Sequence, residues 1–201
     1  GINPRAFLAS LPQAKLTFDA NVLPDLGDVI GLTGNIHLQN AQPLAADKSG
    51  IPVRELSGDF MVNESGAVEI KQLHANLMAR GEIKLTGGIY TQKHTMNLQA
   101  ALKNITSADA ISSQIDGTLN GQLTATGTFD KPKLGFDLNT GRADAKGVVM
   151  LITDANNGQR VVILQNGEIR PQNGGIANVA GSLELFKNQK LLLSINTQRF
   201  N

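Results

Sequence analysis

The chain has 201 residues, 18 Lys and Arg against 17 Asp and Glu, a formal net charge of +1 and no cysteine. That balance leaves no basic footprint for nucleic acid, and one Tyr with no Trp offers no stacking platform for bases. Disulfides and thiolate metal sites are excluded, and no apolar run reaches the roughly eighteen residues of a membrane-crossing helix.

Residues 2–13 read as a short helical turn or a lead-in loop. Alternation then begins, with Leu16, Phe18, Ala20 and Val22 on one side and Lys15, Thr17, Asp19 and Asn21 on the other. Such period-two patterning places the two sets on opposite faces of a β-strand. Pro24 and Gly27 are expected to break it. Ile30, Leu32, Gly34, Ile36 and Leu38 form the next strand, and a loop over residues 39–52 leads to Leu56, Gly58, Phe60 and Val62. From Val68 to Ala79 the phase slips at Gln72. Val68 and Ile70 share a face with Leu73, Ala75, Leu77 and Ala79 only if one residue bulges out. Ile83, Leu85 and Ile89 follow, then Met96, Leu98, Ala100 and Leu102.

Residues 103–114 are the weakest β reading and a candidate junction. They divide the chain into an N-terminal set of hairpins over 1–102 and a C-terminal set over 115–201. From Ile115 to Phe129 every odd position is apolar or Gly and every even one is polar. Its length and its glycines at 117, 121 and 127 predict a long curved strand, or two strands meeting at a corner. Asp130-Lys131-Pro132 reads as a turn, after which Leu134, Phe136 and Leu138 resume the pattern. Val148–Ile152 and Val161–Leu164 are continuous apolar runs, expected to be buried on both sides. Asn156-Asn157-Gly158, Asn166-Gly167 and Asn173-Gly174-Gly175 are expected as turns, the first two closing hairpins. Val179, Gly181, Leu183 and Leu185, then Leu191, Leu193 and Ile195, form a last hairpin.

A short cadence of apolar, x, Gly, x, apolar, x, apolar recurs as LTGNIHL, LSGDFMV, ARGEIKL, IDGTLNG and VAGSLEL. It reads as a degenerate hairpin repeat whose units bury their oily face only by stacking. About fourteen strands, spaced at about 4.8 Å, would make one sheet on the order of 65 Å long. The fold class is all-β.

No catalytic motif interrupts this pattern. G-x-S-x-G, P-loop, G-x-G-x-x-G and H-E-x-x-H are all missing from the sequence. His37, His74 and His94 lie far apart and read as solvated strand histidines, and the carboxylates sit mostly at outward positions. The reading is therefore a non-enzyme with neither cofactor nor metal.

Gly117 to Leu138, GTLNGQLTATGTFDKPKLGFDL, resembles the repeats of the TamB family within the AsmA-like group, and GEIRPQNGGIANVAGSLEL looks like its hairpins. The resemblance implies a long bent sheet folded over a hydrophobic groove, the β-taco. It implies a periplasmic piece of a protein anchored in the inner membrane of a Gram-negative bacterium, reaching an outer-membrane Omp85-type barrel, TamA. It also implies phospholipid acyl chains as cargo or, alternatively, assistance to nascent outer-membrane β-proteins and autotransporters. No signal-peptide pattern opens the sequence, and Asn3-Pro4-Arg5 is echoed by Arg199-Phe200-Asn201, so a fragment of a longer protein is expected.

The candidate groove lining is Leu16, Phe18, Ile36, Leu38, Phe60, Val62, Leu77, Leu85, Leu98, Leu119, Leu123, Phe129, Phe136, Leu183 and Leu185. A filled sandwich or solenoid core would show the same alternation. The scarcity of rings favours an open trough, because large aromatics dominate most cores. A membrane barrel would need aromatic girdles that this composition lacks.

Overall fold

The computed structural model describes residues 1–6, 12–25, 31–45, 49–109, 117–153, 160–184 and 191–198. Within them lie twelve strands: β1 Leu16–Asp25, β2 Gly31–Asn40, β3 Val53–Asn63, β4 Val68–Leu77, β5 Glu82–Tyr90, β6 Thr95–Ile105, β7 Leu119–Thr128, β8 Lys131–Asn139, β9 Ala143–Thr153, β10 Arg160–Pro171, β11 Ile176–Glu184 and β12 Leu191–Gln198. They form a single sheet in sequence order, every neighbour antiparallel. Among the described residues the helical content is two 3-10 turns, Pro4–Ala6 and Ser107–Asp109, and no helix there is long and apolar enough to cross a membrane.

The substantial contacts between elements all run between ladder neighbours. The described strands therefore form one open, curled sheet, consistent with the taco-like expectation. A single sheet has no second one to bury its oily face, so hydrogen-bonded pairing carries an unusual share of its cohesion.

Curvature comes from irregularities on the ladder. The phase slip read at Gln72 is a bulge: Asp59 pairs with Gln72 while Phe60 pairs with Ile70, leaving Lys71 unpaired. A second bulge lies at the end of β6, where Asn104 has a φ of 54°. A third lies in β10, where Asn166 has a φ of 51°. Asn166-Gly167 is thus not the expected hairpin turn but a bulge inside a twelve-residue strand. A positive φ suits either feature, and only the partner strands on both sides decide between them. Gly121 sits at φ 145° inside β7, a conformation that a side chain would strain.

Other expectations shift in detail. β1 runs through Pro24, tolerated because among the described residues no outer strand pairs at that position and none there needs its missing N–H. β7 is ten residues long, and its hairpin to β8 turns at Phe129-Asp130, with Lys131 and Pro132 already paired. The runs at 148–152 and 161–164 are half-exposed rather than buried on both sides, as a single sheet dictates. Asn173-Gly174 turns between β10 and β11 as expected, and Asn156-Asn157-Gly158 lies outside the described residues. β6 reaches into the candidate junction and pairs directly with β7.

The few fully buried side chains gather along one rim, where even-numbered strands hand over to odd. Leu77 at the end of β4 is 1% exposed, and Ile105 at the end of β6 and Asp109 beyond it are 0% exposed. Asp109 Oδ1 accepts from the N–H groups of Ala79, Arg80 and Gly81 at 2.9, 3.0 and 2.9 Å. Its Oδ2 accepts from Thr106 N–H at 2.9 Å and Thr106 Oγ1 at 3.0 Å. The carboxylate thereby fastens the β4–β5 turn to the chain leaving β6. Burial alone would raise its pKa, but the bonds from Gly81, Thr106 and Ala79 together outweigh it and hold the carboxyl below its ordinary value.

Candidate functional site

Register carries one apolar face across all twelve strands. A row runs Ala20, Ile36, Gly58, Leu73, Leu85, Ala100, Leu123, Phe136 and Gly147 from β1 to β9. The next runs Val22, Gly34, Phe60, Ile70, Gly87, Leu98, Ala125, Leu134, Val149, Leu164, Gly181 and Leu193, ending in β12. Alternation within each strand and pairing between strands together make this face continuous.

Over β5–β9 the face holds a hollow of about 480 Å³ lined by Leu85, Leu98, Ala100, Leu123, Thr124, Ala125, Leu134, Gly135, Phe136, Leu138 and Val149. Thr124 carries the lining's only polar side chain, and it belongs to the opposite face of β7. The hollow is open: Leu123 is 37% exposed and Leu134 49% exposed, both at the middle of their strands. Among the described residues no group of three His, Asp or Glu side chains is placed to hold a metal.

Leu16, Phe18, Ile36, Leu38, Phe60, Val62, Leu77, Leu85, Leu98, Leu119, Leu123, Phe136 and Leu183 all fall on this face by register. Of these, Leu85, Leu98, Leu123 and Phe136 meet in the hollow, whereas Leu77 is sealed in the rim core. Phe129 occupies the β7–β8 turn, 43% exposed, its ring stacked on His94 at 6.2 Å between centroids. It sits past the strand's last residue, where alternation no longer fixes a face. Leu185 lies outside the described residues. Ala100, Ala125, Leu134, Leu138 and Val149 also line the hollow. Ala100, Ala125, Leu134 and Leu138 share the parity of lining residues expected on their own strands, whereas Val149 lies in a run expected to be buried on both sides, from which parity picks no face.

The opposite face is mostly polar and knitted across strands. Glu168 binds Arg170 Nε at 2.6 Å and Lys146 Nζ at 3.2 Å. The Arg170 hydrogen bond first, then that of Lys146, hold its carboxyl below the usual range. His37 Nδ1 lies 3.8 Å from Glu55 Oε1 and His74 Nε2 lies 3.7 Å from Glu82 Oε2, both on neighbouring strands and both beyond hydrogen-bond distance.

Among known proteins, no curated relative and no solved structure matches the chain. The family model of the TamB C-terminal domain matches residues 71–199, well over half of the chain and all of the sheet that forms the hollow. The chain belongs to the TamB family, which serves outer-membrane assembly or lipid transport in the cell envelope.

Proposed function

We propose that the inner face carries phospholipid acyl chains toward the outer membrane. In this reading the chain is a periplasmic segment of a protein anchored in the inner membrane, and an Omp85-type barrel, TamA, is its outer-membrane partner. One observation supports it above the rest: a continuous aliphatic face whose middle is open and whose hollow has no polar side chain of its own. An acyl chain leaving a bilayer costs about 0.8 kcal/mol for each exposed CH₂, so a carrier has to offer uninterrupted apolar cover. Residues from Leu16 to Leu183 on this face would supply that cover.

The test is photocrosslinking in cells, with benzoylphenylalanine at Leu98 on the inner face or at Gln99 on the outer. The expected result is phospholipid adducts from Leu98 and few from Gln99. Equal labelling at both positions would remove the inner face from the lipid path.

A second reading is favoured by the β12 edge. All eight of its residues are exposed, and it has neither Pro nor charge. Unprotected edges of this kind accept strands, so β12 would hold a segment of a nascent outer-membrane protein by β-augmentation. Crosslinks from Ile195 to polypeptide, with none to lipid from Leu98, would favour it over the first reading.

A further inference from the structure

Two phenylalanines of the inner face lean across the ladder, each with its ring tip over a glycine of the neighbouring strand. Phe136 in β8 pairs with Gly147 in β9, and Phe60 in β3 pairs with Gly34 in β2. A Cβ built on Gly147 would stand 2.8 Å from Phe136 Cζ and 3.1 Å from its Cε1. One built on Gly34 would stand 2.7 Å from Phe60 Cζ and 3.1 Å from its Cε1. In both cases the ring tip occupies the space that a side chain on the neighbouring strand would need. Phe18, the third phenylalanine of this face among the described residues, pairs with Leu38 instead and is 55% exposed.

Backbone conformation does not explain these glycines. Gly87, Gly121 and Gly127 have positive φ and need to be glycine on that ground, whereas Gly34 and Gly147 are not among the positive-φ residues. What Gly34 and Gly147 contribute is the absence of a side chain. A ring lying across a glycine covers bare backbone and keeps its bulk out of the space above the sheet.

We propose that Gly147 is a positioning residue of the groove, and Gly34 its counterpart under Phe60. It seats the Phe136 ring along the sheet, so that the hollow bounded by Leu98, Leu123, Leu134 and Leu138 stays wide enough for a flexible alkyl chain. This rests on the acyl-chain reading above and adds what sets the bore. A methyl at 147 forces the ring off its seat, and the staggered rotamers left to it send the ring into the hollow.

Gly147 is the better site to test, because its nearest neighbour is the ring, whereas Gly34 also has Asn21 O at 2.7 Å. The probe is cis-parinaric acid, a fluorescent fatty acid, titrated into the wild-type chain, Gly147→Ala, Phe136→Leu and the double variant. Gly147→Ala is expected to bind about tenfold more weakly, the equivalent of taking about two methylenes of the ligand out of apolar contact. The double variant is expected to bind within about threefold of wild type, because Leu leaves no ring to lift. In NMR, the nuclear Overhauser contact between Phe136 Hζ and the Gly147 α-protons should be present in the wild-type chain with or without probe.

Absence of that contact overturns the seat and leaves the acyl reading standing. Undiminished binding by folded Gly147→Ala overturns it too. So does a double variant as weak as the single, since the defect would then come from the Gly167 Cα, 3.1 Å from the new methyl. If Gly147→Ala does not fold, rescue of folding by Phe136→Leu supports the ring contact, and no rescue overturns it. A wild-type chain that shows the contact and binds no probe defeats the acyl reading, and with it the role in setting the bore.

Discussion

Replacing Leu123 with Arg distinguishes an open groove from a filled core by its effect on stability. Leu123 is 37% exposed, so about two thirds of its surface is covered. Full burial of a Leu contributes about 1.5–3 kcal/mol, so losing its partial burial removes about 1–2 kcal/mol. The Arg stem recovers part of that by lying along the apolar face while its guanidinium reaches water through the open side. Leu77 supplies the control. It is 1% exposed, its Cδ1 sits 2.9 Å from where a Gly81 Cβ would be, and an Arg there has no route to water. An uncompensated buried charge costs about 3–5 kcal/mol beyond the lost packing, a large part of the roughly 5–15 kcal/mol that holds a domain together. In urea denaturation at neutral pH, Leu123→Arg should therefore remain folded with a small loss, and Leu77→Arg should lose most of its stability. Phospholipid crosslinking from Leu98 should fall in Leu123→Arg, because a charge now stands in the apolar lane. Equal destabilisation by the two substitutions would refute the open groove, whatever the crosslinking shows.

Two further outcomes test the scaffold. Asp109→Asn should cost about 2–4 kcal/mol at neutral pH, since its amide nitrogen cannot accept from Thr106 and leaves buried donors unpaired. The wild-type carboxyl is held below its ordinary value of 3.8, so its contribution is complete above that value and is lost as pH falls through the lowered one. Urea midpoints of the two chains should accordingly converge on going from about neutral to about pH 2, and a gap that stays constant would contradict the assignment. On the outer face, Gln122→Lys should change stability by less than about 0.5 kcal/mol, because Gln122 is exposed and pairs with Asp137. Asn120→Lys should cost about 1 kcal/mol, because Asn120 Oδ1 accepts the Asn104 N–H at 2.8 Å. The same denaturation assay reads both, and a reversed order would invert the assignment.

The alternation in Leu119–Thr128 and its neighbours was legible because a strand with one wet face has to repeat with period two. The bulge at Lys71 was legible for a related reason: the repeat survives on both sides of it, one residue out of step. Asn166-Gly167 misleads because positive φ is a property of the dipeptide, whereas chain reversal is a property of what pairs on each side. Asp109 left no signal, since the donors it accepts at Ala79, Arg80 and Gly81 lie 28 to 30 residues away. Asn120 has the same difficulty on a smaller scale. Its parity marks it as outward, which is right, and conceals a bond to a bulge 16 residues upstream. The seats under Phe60 and Phe136 were hidden too, because a glycine at an inward position reads as weak strand unless the residue across the ladder is known.

Whether the apolar face is filled or open was not decidable from periodicity, and the distribution of exposure is what decides it. In a filled sheet core the middle of the central strands is the driest place and the strand ends are the wettest. From β4 to β8 the order is reversed. Leu77 and Ile105, both at strand ends, are 1% and 0% exposed, while Leu123 and Leu134, mid-strand in β7 and β8, are 37% and 49% exposed. The rim core therefore supplies closed packing, with Asp109 fastening it, and frees the centre from having to be covered for the sheet to hold. The apolar centre thus costs exposed surface as it stands, and an aliphatic chain laid along it would remove that cost for both partners.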